Sequence, residues 1–281
     1  MKPRPFDYIR PDTVEEAVTL LAEYGDDARI LAGGQSLVPM LNLRLVEADA
    51  LIDVSRVAAL DIIREVDNKK LGETIEIGAA VTQNKLLAWP QLSEKLPLVA
   101  AALPHVGHFQ TRNKGTVCGS IAHADPSSEI PLTLALVGGE VVLTSQRGTR
   151  VLAAKDFQKD MLTTARAADE LVAAVRFPIV KGGGIERGVA FREVARRHGD
   201  FAIIAVAAMM ENKSTVRLGV GGMVGRPMVR RMATDDAAHA IAAWADELEG
   251  YEDLHASAAM RRDLFCNLAP LAVKEAIRCA A

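Results

Sequence analysis

The chain is poor in the features that mark several large functional classes. Its 281 residues carry 33 Lys+Arg against 36 Asp+Glu, a net charge of −3. There is no basic excess to attract nucleic acid and no basic run to seek an anionic membrane. No apolar stretch approaches the ~20 residues of a transmembrane helix. The opening Met1-Lys2-Pro3-Arg4-Pro5-Phe6-Asp7 lacks the apolar segment of a secretory leader. Three cysteines, Cys118, Cys266 and Cys279, are too few and too scattered for a disulfide framework or a four-thiolate metal site. Aromatic residues make up 4%. What remains is ordinary for a globular protein, with 49% hydrophobic and 25% charged residues. The length is ample for real cores in one large domain or two or three small ones.

Periodicity gives a mixed plan. Thr13 with Glu16 forms a capping box, and Val14, Ala17, Leu21 and Tyr24 follow at helical spacing up to Gly25. Residues 29–32 read as a buried strand, 37–43 as a helical turn, and 51–54 as a second strand, with this unit ending near Val57. Residues 62–65 and 74–79 flank the charged turn 67–70 and read as a hairpin. Helices are expected from the Thr82 cap to Trp89, over 96–103 and over 130–137, and strands over 140–144 and 170–177. Residues 178–184, a proline followed by three glycines, form the best linker candidate. Beyond it, 189–194, 203–210 and 216–220 read as antiparallel strands, although 203–210 could equally be a buried helix. Two or three helices, over 235–248, 256–268 and 271–279, close the chain. The fold class is α+β, in two parts of about 1–177 and 178–281, the first divided near residues 57 and 58.

Two glycine-bearing segments are the strongest site candidates. In Leu31-Ala32-Gly33-Gly34-Gln35-Ser36-Leu37 a buried strand ends, the backbone turns sharply and a helix begins. Glycine permits positive φ and close approach of a ligand, and successive N–H groups in such a turn make an anion-binding nest. No Lys follows as in a phosphate loop, and no G-x-G-x-x-G is present, so neither common nucleotide fingerprint applies. The second segment runs from Thr111 to Ile121, with Gly115, Thr116, Cys118, Gly119 and Ser120 small and only Val117 bulky. About 80 residues apart in sequence, the two could converge on one pyrophosphate, whose many acceptor oxygens suit backbone donors. Asp125, before Pro126, is placed in an extended backbone from which it could reach sugar hydroxyls. Asp125 or Ser127-Ser128 could equally cap the next helix.

Other polar clusters have plainer readings. His105, His108 and His123 could be drawn with Asp125 as a metal site, but Pro104 and Gly107 argue against a regular helix between the first two. Cys118 as a thiol nucleophile with His123 as base is weaker than Cys118 as a small packing residue. Cys266 and Cys279 are expected as small core residues on apolar helix faces. The charged run Glu186-Arg187 and Arg192 to Asp200 reads as a solvated face, with a polar edge facing a bound cofactor or partner as the other reading. Gly219, Gly221, Gly222 and Gly225 read as a twisted strand with a bulge, and Arg226-Pro227 as the start of a surface connection.

The motifs Ala32-Gly33-Gly34-Gln35-Ser36-Leu37 and Asn113-Lys114-Gly115-Thr116-Val117-Cys118-Gly119-Ser120-Ile121-Ala122-His123-Ala124-Asp125-Pro126 resemble those of the FAD-binding medium subunits of molybdenum hydroxylases. That family includes carbon monoxide, nicotinate and xanthine dehydrogenases. Phe6-Asp7-Tyr8, Arg10-Pro11, residues 191–201 and residues 218–227 extend the resemblance over nearly the whole chain. It implies a p-cresol-methylhydroxylase-type (PCMH-type) FAD-binding domain followed by a smaller α+β domain. It also implies that Ala32 to Ser36 and Thr116 to Ser120 wrap the FAD pyrophosphate. Asp125 would lie against the ribityl or sugar portion, with Leu162 and the edge near Arg192-Glu193 approaching from the other side. Where the family usually reads Thr-Ile-Gly-Gly, this chain has Thr116-Val117-Cys118-Gly119, and Glu193 stands where many relatives carry Lys. The resemblance implies no catalytic residue and no metal on this chain. Partners would be a small subunit with two [2Fe–2S] clusters and a large subunit with the molybdopterin cofactor, electrons leaving FAD for an external acceptor. A self-contained flavin oxidase or dehydrogenase, with covalent flavin attachment at His105 or His108, and a flavin-free scaffold are the other readings. The missing leader and the labile cofactors lead to a cytoplasmic expectation.

Overall fold

The protein is described from a computed structural model covering residues 1–180 and 188–280. The first unit is built from β1 (Asp7–Ile9), α1 (Val14–Tyr24), β2 (Ala28–Leu31), α2 (Leu37–Asn42) and β3 (Ala50–Asp53). Its three strands form a parallel sheet in the order β1-β3-β2. The capping box closes α1: Thr13 Oγ1 accepts from Glu16 N, and Glu16 Oε2 reaches back to accept from Asp12 N. Gly25, at φ +53°, turns the chain out of the helix. β1 was hidden from sequence reasoning because its three residues are too few to show a period. It is held in register by the sheet and by a Tyr8 hydroxyl hydrogen bond to the Asp53 carboxylate.

The chain continues through β4 (Ile63–Asn68) and β5 (Gly72–Gly78), then six helices. These are α3 (Gln83–Leu87), α4 (Leu92–Lys95), α5 (Pro97–Ala102), α6 (Phe109–Arg112), α7 (Val117–His123) and α8 (Glu129–Val137). There follow β6 (Glu140–Ser145), β7 (Gly148–Ala153), α9 (Ala154–Phe157), the ribbon β8 (Gln158–Asp160) and β9 (Thr163–Thr164), and β10 (Leu171–Pro178). β10 inserts between the two hairpins, giving the antiparallel order β4-β5-β10-β6-β7. Ile75, Ile77, Val141, Leu143, Val175 and Phe177 are buried in this sheet and share one core with α1 and α7.

Beyond the undescribed residues come β11 (Val189–Val194), β12 (Ile204–Asn212), β13 (Thr215–Gly221), β14 (Met228–Ala233), α10 (Ala237–Glu247) and α11 (Ala258–Ala280). The four strands form one antiparallel meander with both helices packed on it. The 203–210 segment is therefore strand. Its other face meets α5 and α8, where Leu98, Leu132 and Leu136 pack on Ala205, Ala207 and Met209.

Several expectations are corrected. The two separate final helices are one 23-residue helix, with Pro270 inside it. Burial of Ala269, Ala272 and Val273 holds that helix through the proline. Cys266 and Cys279 are exposed, on the outer side of α11 rather than in the core. Residues 228–233, expected as a surface connection, form β14. The linker candidate extends beyond Val180, and its Lys181 to Gly184 lie outside the described residues.

Candidate functional site

The two glycine segments meet. A Cβ on Gly33 would stand 2.3 Å from the Lys114 carbonyl oxygen and 2.6 Å from Gly115 Cα, so only a glycine lets the turns touch. Gly34 has φ +69°, the left-handed conformation that glycine adopts without strain. The second segment is not one loop. After α6 the chain turns at residues 113–116 and enters α7, so Val117 to Ser120 are helical. Thr116 is the cap: its Oγ1 accepts from Gly119 N at 3.0 Å. Small residues on α7 let the helix lie close to its surroundings, a pattern that a loop and a helix share in sequence. Gln83 N donates to the Gly115 carbonyl at 2.8 Å, fixing the turn from the α3 side.

Between the turns opens a cavity of about 770 Å³, within the ordinary range for cofactor sites. Ala32, Gly33, Gly34, Gln35, Ser36 and Leu37 line one wall. Gly115, Thr116, Cys118, Gly119 and Ser120 line another, and Leu162 stands at the rim. Leu31 and Val117 lie behind these walls in β2 and the core. Asp125 stands outside the lining, and its Oδ1 accepts from Ser127 N at 2.8 Å in a local turn; it does not cap α8, whose cap residue is Ser128 with no side-chain capping bond. Arg192 also lies outside the lining, in an ion pair with Glu275 of α11 at 2.7 Å.

The structure brings in residues the sequence reading passed over. Glu129, the first residue of α8, is buried and lines the cavity. Burial pushes its carboxyl up to about 8; Glu193 and Asp125 push the same way, while its own backbone N–H and His105 oppose. His105 Nδ1 lies 3.2 Å from Glu193 Oε1, and that contact raises the histidine's pKa. Glu193, read as part of a solvated face, is thus buried beside His105 with its Oε2 unpartnered. Gly199, Asp200 and Phe201 also line the cavity, with Phe201 exposed. Arg166 anchors the far wall by donating from Nη1 to the carbonyls of Ala167, Ala168 and Glu170 at 2.8–3.0 Å. The only prior signal for Glu129 was its place directly after the Ser-Ser cap candidates. A carboxylate there is also the commonest residue for a first helical turn, so nothing separated the two roles.

Cys118 is fully buried and donates to the Ile77 carbonyl at 3.3 Å. Burial raises its pKa far above the ordinary thiol range, so it has no thiolate character. Leu162 takes φ +52° and Ala124 φ +55°, and Leu162 N donates to the Ala124 carbonyl at 3.0 Å, tying the β8–β9 ribbon to the end of α7.

These features fit an extended dinucleotide. At the cavity wall the buried Gln83 Oε1 has no hydrogen-bond partner, while Asp200 Oδ2 lies 3.6 Å from Arg196 Nη2 and 3.9 Å from Arg197 Nε. Among the described residues no helix is long and apolar enough to cross a membrane. Residues 4–180 match the family described as the FAD binding domain in molybdopterin dehydrogenase. The nicotine 6-hydroxylase medium subunit of Paenarthrobacter nicotinovorans is 34% identical over 285 residues, 96% of each chain. The 6-hydroxypseudooxynicotine dehydrogenase complex subunit alpha of the same organism is 40% identical over 210 residues, 75% of this chain and 68% of that one. Carbon monoxide dehydrogenase from Hydrogenophaga pseudoflava superposes with a TM-score of 0.89 at 31% identity, covering 100% of both chains. The family match spans both glycine turns and the superposition spans the whole chain, so this chain belongs to the FAD-binding medium-subunit family of the molybdopterin-containing dehydrogenases.

Proposed function

We propose that this chain is the flavin subunit of a heterotrimeric molybdenum hydroxylase, holding FAD between the [2Fe–2S] clusters of a small partner subunit and an external electron acceptor. The large partner would carry the molybdopterin cofactor and select the substrate. The division of labour is a PCMH-type FAD-binding unit over residues 1–177 and an α+β unit over 178–281. The observation that carries this reading is the contact of Gly33 with Lys114 and Gly115, which brings two backbone cradles to one cavity.

Bound FAD would supply a carrier able to exchange electrons singly or in pairs. The protein's part is placement. Residues 32–36 would meet the diphosphate with backbone N–H groups and the Ser36 hydroxyl, and residues 115–120 with close backbone approach and the Ser120 hydroxyl, the N–H groups of Gly115, Val117, Gly119 and Ser120 being bonded within the protein. Gln83 would turn its unpartnered Oε1 to the cofactor's hydroxyl and N–H groups. Glu129, protonated at neutral pH, would present a carboxyl O–H to the cavity as a hydrogen-bond donor. Leu162 and Phe201 would border the opening, and Asp125 and Arg192 would support it through Ser127 and Glu275. A cytoplasmic complex follows from the labile clusters of the partners.

Co-purification tests the reading. The native protein is expected with one FAD per chain and two further subunits containing iron, sulfur and molybdenum. A chain that carried FAD and turned over substrate alone would establish the self-contained oxidase instead. A chain that stayed colourless after addition of FAD would establish the scaffold reading.

A further inference from the structure

A second cavity, of about 790 Å³, lies away from the flavin site between α8 and α9 on one side and β14 on the other. The β14 wall is made by Arg226 and Pro227, which lead into β14, and by four consecutive β14 residues, 228–231. Side chains alternate between the faces of a strand, so a strand offering a face would contribute every second residue. Consecutive lining means that the backbone edge faces the cavity. β14 is the last strand of its sheet, and among the described residues its backbone makes no hydrogen bond beyond those to β13. An open edge of this kind is a template for another strand.

The charges around the edge are specific. Arg217 and Arg231 share Glu211, and Arg230 pairs with Glu247. Lys155 and Arg226 line the cavity with no ion pair among the described residues, and Asp156 is the one acidic residue of the lining. A second copy of this chain is disfavoured there. Pairing β14 with β14 would bring no carboxylate to Lys155 and Arg226, because the strand Met228–Ala233 carries no acidic residue.

We propose that the β14 edge takes up an extended acidic segment of a partner subunit, which adds as a fifth strand and sets its carboxylates against Lys155 and Arg226. The proposal rests on the reading of the chain as one subunit of a complex. Main-chain pairing would supply affinity, and the two free cations would set register and choice of partner.

Hydrogen exchange on the FAD-loaded subunit, alone and in the assembled complex, tests it. Alternate amides within 228–233 are expected to gain protection of about tenfold or more on assembly. The double variant Lys155→Glu/Arg226→Glu should keep its FAD content and melting temperature. It should lose that protection and weaken assembly about tenfold or more, with the salt dependence of assembly reduced. Unchanged exchange of β14 in an assembled complex, or unchanged assembly of the double variant, overturns the proposal while leaving the subunit reading intact. Protection that rises with the concentration of the isolated chain assigns the edge to a second copy and also overturns it. A wild-type chain that holds FAD but joins no partner overturns the subunit reading, and this proposal with it.

Discussion

A methyl group on Gly33 would meet the Lys114 carbonyl oxygen at 2.3 Å, and that oxygen belongs to backbone that cannot swing aside. Gly33→Ala is therefore expected to push the two turns apart and abolish FAD retention, read as flavin absorbance after gel filtration, with helix content preserved. Gly34→Val acts through conformation, since a β-branched residue at φ +69° is strained by about 1–2 kcal/mol. It should likewise release FAD, and stoichiometric FAD in this variant would disprove the placement of the turn. Glu129 makes a pH prediction. Its folded pKa of about 8 exceeds the ordinary 4.5, so the folded state holds a proton that the unfolded state has lost. Stability of the flavin-free protein should then fall as pH rises from about 5 to 8, by up to about 1.4 kcal/mol per unit. His105, whose folded pKa is raised, adds a loss of the same sign as pH rises through it. Urea titrations across this range should show a flatter profile for Glu129→Gln. Both glycines were legible in the sequence, because a strand, two glycines and a helical pattern follow one another directly. Glu129 was not, because its burial depends on α5, β11 and the cavity wall rather than on its neighbours in sequence.

Among the elements, α7 carries the second half of the cradle on about two turns, and its start depends on one side chain. Thr116→Ala removes the acceptor for Gly119 N and should cost about 1 kcal/mol, measured by thermal melting, with weakened FAD retention. Thr116→Ser should restore both. α11 is held differently. Arg261 is almost fully buried, donates to the carbonyls of Ile203 and Gly222 and to the Asp253 carboxylate, and stacks over Tyr251 at 4.0 Å. Arg261→Met would leave those acceptors without a donor and should cost about 3–5 kcal/mol in chemical denaturation. An arginine in a helix of low mean hydropathy reads as surface, so only the three-dimensional arrangement exposes it as the pin between α11 and the β12–β13 sheet.

Across the whole molecule, the C-terminal sheet does not stand apart from the flavin unit. Leu132 and Leu136 of α8 pack against β12 and β13, and the Arg217 guanidinium donates to the Leu136 carbonyl at 3.0 Å. α8 therefore joins the cavity, through Glu129, to the second core. Leu132→Ala is expected to lose about 2–5 kcal/mol and to split calorimetric unfolding into two transitions. A single undisturbed transition would show that the two units are not coupled there.

The sequence by itself determined the α+β class, the α1 capping box, the β4–β5 hairpin, most strands of the C-terminal meander and the pair of glycine turns. Each of these follows from local pattern: caps, alternation and positive φ act between residues close in the chain. Tertiary structure decided what depends on distant partners. It made α7 a helix, inserted β10 between two hairpins, joined the last two helices through Pro270 and paired β1 and β14 as edge strands. It also turned Asp125 to Ser127 and put Glu129 in the cavity. Burial and strand pairing are set by residues far away in sequence, and no periodicity within a short segment records them.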